Sequence, residues 1–407
     1  MLELASVFAN EWMKLMRRKR MWVAAVLGAF VVGLFALSTY HDHQEQLRYN
    51  SPSAWQQQVA TLKQDIAQQK AQKMTDQTKA QIQADNQQIK SLQGQIAAYQ
   101  NGNENWRQNV RDEITQTKQD EKMAAAEHDS TTMSMDQGSL LRLNYQLAHD
   151  VPPLVPGEQS AYQEFTSFIS VATQIFLPLL AVILVADMVS GETTSGTIKL
   201  LLIRPVSRFK ILFGKWLASM AATAALTVAV CVALLLVGCG ILGTGGAKLP
   251  ELVGTRYTFV QQPQQSGQVV NTGPAQLDPV AHYAHTLILP EWQFVVYGIL
   301  LTTLAMLVVA TIAFLCSALF KSAMASTAVA LGVVIIGGIS VSFVHSKVVV
   351  ALFPTHLNLF SNWTGALAEQ LKMSVTLTTG LVVLAAWGIV CLIASLLYFT
   401  RKDVLNA

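Results

Sequence analysis

Charge is what this chain of 407 residues has little of: 13% of its residues are Asp, Glu, Lys or Arg, while 52% are hydrophobic. That balance, with a mean hydropathy of +0.36, excludes a soluble globular protein of this size. Cysteine is scarce. Cys231, Cys239, Cys316 and Cys391 all fall inside apolar stretches, where they read as small packing residues and leave no disulfide framework elsewhere. No Gly-x-x-x-x-Gly-Lys-[Ser/Thr] run occurs. Gly214-Lys215-Trp216 lacks both the earlier glycine and the hydroxyl that a Mg²⁺-nucleotide needs, which excludes ATP hydrolysis by a P-loop in this chain.

Other absences narrow the field further. The paired histidines His41/His43 and His282/His285 have no cysteine in the outer segments and no carboxylate cluster that completes four ligands, so they read as solvated groups and no metal is expected. No nucleophile-elbow pattern joins Ser, His and Asp, and the chain is not expected to be an enzyme. The middles of the apolar stretches hold no ionisable side chain, unlike proton- or ion-driven transporters. The net charge of +3 follows from cations gathered at one membrane face and is no sign of nucleic acid.

What is present is a series of stretches long enough to cross a bilayer, which takes about 20 mostly apolar residues. Six qualify: Trp22–Tyr40, Phe165–Val185, Trp216–Leu242, Trp292–Leu319, Ala323–Val344 and Val375–Thr400. The expected fold is an all-α integral membrane protein with six transmembrane helices, because a helix satisfies its own backbone in lipid. Lys14, Arg17, Arg18, Lys19 and Arg20 precede the first span, and Lys199, Arg204, Arg208, Lys210 and Lys215 follow the second. Lys321 follows the fourth, and Arg401 and Lys402 the last, so the positive-inside rule puts both termini in the cytoplasm. The first span has no small-residue cleavage site and reads as an uncleaved anchor.

Three regions follow: residues 1–40, an interfacial helix plus the first span; residues 41–164, expected outside; and residues 165–407, spans two to six. In the N-terminal helix Leu4, Phe8, Trp12 and Leu15 share one face, with Glu3, Asn10, Lys14 and Arg17 on the other, as in a helix lying on the membrane surface. The outer segment is rich in Gln, Lys, Ala, Asp and Asn. Its apolar residues recur at coiled-coil spacing: Trp55, Val59, Leu62 and Ile66, then Ile82, Ile89, Leu92, Ile96 and Tyr99, then Trp106, Val110 and Ile114. Ser51-Pro52-Ser53 offers a cap for the first run. A helical hairpin or small bundle fits best, against one long helix that pairs only on dimerisation, or a disordered linker. The loop 243–291 reads as a surface loop with at most a short hairpin. Val348–Pro354 is too short to span and too apolar for a free loop, and reads as re-entrant or interfacial.

Between the second and third spans stands Gly191-Glu192-Thr193-Thr194-Ser195-Gly196-Thr197-Ile198-Lys199-Leu200-Leu201-Leu202-Ile203-Arg204-Pro205-Val206-Ser207. Ser195 or Thr194 can cap a short apolar helix that Pro205 stops, and Ser207 can cap the helix after it. The pattern GE..SGT.KLLL.RPVSR..ILFGK resembles the first cytoplasmic loop of ABC-2 type permeases, the membrane subunits of one class of ATP-binding-cassette exporters. The resemblance covers Met1–Tyr40 and Phe165–Ala407 and leaves the segment between them unexplained.

That resemblance implies a multi-pass protein of a bacterial plasma membrane whose residues 191–204 form a coupling helix seated in a groove of a separate ABC ATPase. Glu192, Ser195, Gly196, Thr197, Lys199, Leu200 and Arg204 are the implied coupling residues, with Glu192 at the family's acidic position. Phe8, Trp12 and Lys14 belong to an interfacial helix that the family places near the ATPase. No cofactor binds directly; ATP and Mg²⁺ belong to the partner ATPase. A second permease copy or homologue completes a dimer, with membrane lipid around it. Ser170, Thr173 and Gln174 of the second span, which Pro178 is expected to kink, are the candidate translocation path. Uncharged walls suit amphipathic or hydrophobic cargo: peptide, lipid or drug. The competing reading is an ATPase-driven mechanical transmitter or sensor that acts through the outer helices with no cargo crossing.

Overall fold

The structure, a computed structural model, describes residues 2–71, 76–100, 105–197, 207–261, 277–343 and 347–401. It divides into two compact units. One comprises Met1–Phe35, Phe165–Leu236 and Leu252–Ala407; the other comprises Ala36–Glu164 and Val237–Glu251.

The first unit holds the membrane helices. Helices α1 (Leu2–Arg17) and α2 (Lys19–Tyr49) open the chain, and the latter runs on into the second unit. Among the described residues, four helices are long and apolar enough to cross a membrane: α2, α10 (Arg208–Leu242), α11 (Glu291–Leu319) and α15 (Leu377–Arg401). A fifth crossing is the pair α7 (Ala161–Ala172) and α8 (Phe176–Val185), counted as one span bent by 55°. Helix α12 (Ala323–Phe343) carries a shorter apolar stretch, Ala323–Ile339. Four to five spans are thus defined by length and composition, where the sequence predicts six.

The bend lies upstream of the proline expected to cause it. Helix α7 closes with Thr173 N–H on the Ile169 carbonyl (2.9 Å) and Gln174 N–H on that of Val171 (3.1 Å). Pro178 lies in the first turn of α8, where its missing N–H is not needed. Its ring would strike the carbonyl four residues back, which is that of Gln174, so the helix breaks at 173–175 rather than at the proline itself.

The all-helical expectation needs one correction. Strands β1 (Pro250–Val253), β2 (Arg256–Gln261), β3 (Leu277–His282) and β4 (Leu287–Pro290) lie between α10 and α11. Strands β2 and β3 pair antiparallel from Arg256↔His282 to Gln261↔Leu277. Thr258 and Phe259 supply the β-branched and aromatic residues that suit a strand, in a loop whose polar composition hides the pattern.

Between α12 and α15 the chain makes two 3₁₀ turns, Lys347–Ala351 and Phe353–His356, and the short helices α13 (Leu359–Thr364) and α14 (Ala366–Leu371). Glycines of three surrounding helices receive this segment. A Cβ on Gly298 of α11 would stand 1.7 Å from Phe360 Cζ, one on Gly337 of α12 2.6 Å from Pro354 Cγ, and one on Gly380 of α15 2.7 Å from Asn362 Nδ2. His356 is fully buried here. Its Nε2–H donates to the Val350 carbonyl (2.8 Å) while Nδ1 accepts from Asn362 Nδ2 (2.9 Å), so the ring is neutral.

Burial pushes the His356 pKa below its ordinary 6.5, against the smaller opposing pull of the Val350 and Asn362 hydrogen bonds. A histidine whose folded value is depressed contributes stability that is intact above 6.5 and lost as pH falls through the lower folded value. Among the described residues, the charged side chains of the segment and the elements packed against it are Lys347, Glu369, Lys372, Arg256 of β2 and Arg401 at the far end of α15, all exposed, and the buried Glu291 at the start of α11. Proteolysis of residues 347–371 in the purified protein should therefore accelerate below pH 6.5 and stay flat from 7 to 8. A His356→Gln variant should lose that acid step; an identical step in the variant would refute the assignment.

The second unit contains two helical hairpins, each with its own core. Helix α3 (Pro52–Ala71) starts under Ser51, whose Oγ accepts from Ala54 N–H (3.3 Å), and packs on α4 (Asp76–Gln100). Their seam is Trp55, Val59 and Ile66 against Ile82, Ile89 and Leu92, flanked by Leu62 and Ile96. Trp55 meets Tyr99 edge-on at 6.1 Å, joining the start of one helix to the end of the other, so the two run antiparallel. Buried Asp85 interrupts the Ile82–Ile89 stripe and accepts from the Gln81 and Gln69 amides at 2.9 and 3.3 Å. One polar residue at a core position fixes which register two helices adopt.

The second hairpin pairs α5 (Trp106–Ala126) with α6 (Ser130–Ala148). Its core is Trp106, Val110, Ile114 and Leu143, with Leu140 and Leu147 beside it. Asp129 caps α6 through Thr131 and Thr132 N–H at 3.1 and 3.0 Å. Three of the four helical seams here show in the spacing of apolar residues along the sequence. That of α6 went unread because Leu140, Leu143 and Leu147 lie in a stretch of few charges and no obvious polar face.

Candidate functional site

The segment after α8 is held at its root by hydroxyls. Helix α8 gives way to a turn and to the five-residue helix α9 (Ser190–Thr194). A helix start leaves unpaired N–H groups. Here Val189 N–H and Ser190 N–H both donate to Ser317 Oγ of α11, at 2.9 and 3.1 Å, and Ser317 is fully buried. Ser326 of α12 donates to the Ala186 carbonyl at 2.5 Å. Thr194 Oγ1 donates to the Ser190 carbonyl (2.8 Å) and accepts from Ala323 N–H (3.1 Å) at the α11–α12 turn. The loop root is thereby fixed to α11 and α12.

Helix α1 closes over the same root. Its inward face carries Val7, Glu11 and Leu15, one helical turn apart. Gly214 of α10 admits it: a Cβ there would lie 2.6 Å from Val7 Cγ1. Lys215, 2% exposed, is the centre of the contact. Its Nζ donates to Glu11 Oε2 at 2.6 Å and to Glu192 Oε1 at 2.7 Å. Lys14 Nζ donates to Glu11 Oε1 at 2.8 Å and stands 3.9 Å from Glu192. Around this core, Arg20 Nε pairs with Asp187 at 3.1 Å, and Arg18 lies 3.7 Å from Asp187 and 4.0 Å from Glu192.

Three carboxylates and four cations thus join α1, the start of α2, the turn before α9, α9 and α10. Burial on its own would raise the pKa of Glu11. The Lys215 charge and the hydrogen bonds from Lys14 and Lys215 outweigh it, and hold the carboxyl below its ordinary 4.5. A buried pair is tolerable only with such complete partnering, because each ion has given up its water. The cluster contains neither a free nucleophile nor an acid–base pair aimed at a cavity; its chemistry is mechanical attachment. Among the described residues no three His, Cys, Asp or Glu side chains gather where a metal ion could be held.

The structure places the sequence-predicted residues as follows. Glu192 turns inward onto Lys215 and is 7% exposed. Ser195 Oγ lies 2.9 Å from Thr197 Oγ1 and 3.3 Å from the Glu192 carbonyl, at the C-terminal end of α9 and not at the start of a helix. Gly196 takes φ +70°, a left-handed turn with open space where a Cβ would project. Lys199, Leu200 and Arg204, and with them the expected helix to Ile203, lie outside the described residues. Ser207 Oγ accepts from Lys210 N–H at 3.4 Å and caps α10.

Phe8 stacks on Trp12 with ring centroids 6.2 Å apart, both half-buried, and Lys14 joins the ion cluster. Ser170, Thr173 and Gln174 gather at the α7–α8 break, at the far end of α8 from Glu192. Thr173 is buried with its hydroxyl on the Ser170 carbonyl (3.1 Å), and Gln174 is exposed. Sequence reasoning missed Glu11, Lys215 as its partner, and Ser317. One signal was available for Glu11: a carboxylate four residues from Leu15 and from Val7, in the middle of the apolar face.

A multi-pass membrane protein in which a short loop is tied at its root to the membrane helices by hydroxyls and ion pairs is the class these features define. Over residues 5–404 the chain matches the family described as ABC-2 family transporter protein, and it belongs to that family. It is also 24% identical to the "Uncharacterized protein YhcI" of Bacillus subtilis (strain 168) across 264 residues, 65% of this chain and 74% of that protein. Membership makes this chain a membrane component of an ABC transporter, with an ABC ATPase as its partner and no ATPase site of its own.

Proposed function

We propose that this chain is the permease subunit of an ABC exporter, and that residues 191–204 are its coupling segment. The chain crosses the membrane six times, with both termini and α1 cytoplasmic and residues 41–164 outside. Two permeases and two ATPases form the working unit, with ATP and Mg²⁺ held by the ATPases. Closure of the ATPases pushes the coupling segment and rearranges the path between permeases, moving amphipathic or hydrophobic cargo outward. Gln174, Thr173 and Ser170 lie on that path.

The observation that carries this reading is the double fixation of the loop root, by the Ser317 hydroxyl and by the Glu11–Lys215–Glu192 ion cluster. A loop that merely connected two helices would need neither. Glu192 works inside the permease, tying the root of the coupling segment to α1 and α10, so that a push on the segment is delivered to both. A second reading, mechanical transmission to the outer hairpins without cargo, is favoured by the independent cores of α3–α4 and α5–α6.

The test is co-purification from membranes with the ABC ATPase encoded beside this gene, comparing the intact protein with Glu192→Arg. A second cation beside Lys215 breaks the cluster, and coupled ATP turnover should fall about tenfold, the effect of roughly 1.4 kcal/mol. Undiminished turnover would remove Glu192 from the coupling role; absence of any complex would remove the permease reading. Replacing residues 41–156 with a short linker separates the two readings, because cargo export that survives it rules out the transmitter.

A further inference from the structure

Helix α11 is the most enclosed of the long membrane helices: 67% of its most apolar stretch is buried inside the protein, against 22%, 33% and 22% for α2, α10 and α15. Its inner end carries Ser317, which accepts the two backbone N–H groups that start α9. Its outer end carries Gly298, in whose notch the Phe360 ring sits so closely that a Cβ would overlap it at 1.7 Å. Phe294 meets Phe360 edge-on at 5.1 Å, and Trp363 lies 5.5 Å from Phe294 and 6.0 Å from Tyr297. One face of α11 therefore grips α13 by two aromatic rings.

Ser317 and Gly298 lie roughly 28 Å apart at 1.5 Å per residue of uninterrupted helix. The shaft between them is braced, with Thr311 Oγ1 accepting from Trp216 Nε1 of α10 at 3.2 Å. A close-packed interior transmits a displacement instead of absorbing it.

We propose that α11 is the rod that carries movement of the loop root, entering at Ser317, to the outer segment 347–371, leaving at the Gly298–Phe360 notch. This rests on the coupling role of residues 191–204 proposed above. Ser317 is a positioning residue, since it touches neither ATPase nor cargo. The competing route runs through α12, which the loop root also reaches by Ser326 and Thr194 and which receives Pro354 at Gly337. That route keeps every one of its contacts when Ser317 is changed.

Hydrogen exchange on the full permease–ATPase complex in lipid nanodiscs, nucleotide-free against ATP–vanadate-trapped, tests the rod. Exchange rates in wild type should change at both 186–197 and 347–371. In Ser317→Ala the change at 186–197 should persist while that at 347–371 shrinks at least about threefold, an opening difference that local exchange resolves. Ser317→Thr, which keeps the hydroxyl, should restore it. Phe360→Ala should produce the same loss from the outer end, without touching the loop root. A full-sized change at 347–371 in both Ser317→Ala and Phe360→Ala would overturn the rod and hand the role to α12. So would a wild-type protein whose 347–371 ignores nucleotide although 186–197 responds. Silence at 186–197 in an assembled wild-type complex would sink the coupling role itself, and the rod with it.

Discussion

Lys215→Met should destabilise the end of the helix bundle that holds the ion cluster by about 3–5 kcal/mol, the cost of leaving buried charge without its partner. Glu11 and Glu192 lose their shared cation at 2.6 and 2.7 Å, and Glu11 is too deeply buried for water to replace it. Lys14 still pairs with Glu11 at 2.8 Å and stands 3.9 Å from Glu192, but its half-exposed ammonium hydrogen-bonds only the first, where buried Lys215 hydrogen-bonds both. Thermal unfolding of the detergent-solubilised protein should show the loss directly. A combined Glu11→Gln, Glu192→Gln and Lys215→Met variant should recover most of it, because the buried charges are then gone together. If Lys215→Met alone unfolds within about 1 kcal/mol of wild type, a typical value for exposed pairs, the cluster is solvated and the assignment is wrong.

The second large effect is expected at Gly298→Ala. A helix interior normally gains roughly 0.5–1 kcal/mol from this change. Here the new methyl would occupy the position of the Phe360 ring tip, 1.7 Å away, and Phe360 is 2% exposed. Expelling a buried phenyl ring costs about 3–5 kcal/mol, so the sign reverses. Gly332→Ala is the matched control, since a Cβ there meets nothing within 4 Å. Limited proteolysis at 347–371 should accelerate sharply in Gly298→Ala and not in Gly332→Ala. Pairing the first with Phe360→Leu, which draws the side chain back, should restore resistance. Equal behaviour of the two glycine variants would mean that the notch does not hold the 347–371 segment.

These two sites mark where sequence reading succeeds and where it stops. Apolar runs expose long helices, and the spacing of Trp55, Val59, Leu62 and Ile66 shows a helical seam, because both signals repeat at a fixed period within one element. The ion cluster brings together residues 204 apart, and nothing local marks Glu11 and Lys215 as partners. Gly298, Gly337 and Gly380 read as ordinary small residues in apolar helices. Their role depends on Phe360, Pro354 and Asn362 arriving from another part of the chain. Ser317 was equally unmarked, a lone hydroxyl in a span. The loop after α8 is legible as a pattern, yet the side its acidic residue faces is not, because Glu192 is turned by α1 and α10 and not by its own neighbours.

The separation of Glu11 from Lys215 also sets an order of events during synthesis. At roughly 5–20 residues per second, a ribosome needs about 10–40 s to add the residues between them. For that interval Glu11 has Lys14 of its own helix as a partner but not yet the buried Lys215. The helix can seat itself only once the segment carrying Lys215 has emerged, after the bent α7–α8 pair. The contact between α1 and α10 is thus a later event than the making of α1 itself, and the loop root that Glu192 ties to Lys215 is completed only when all three partners are present.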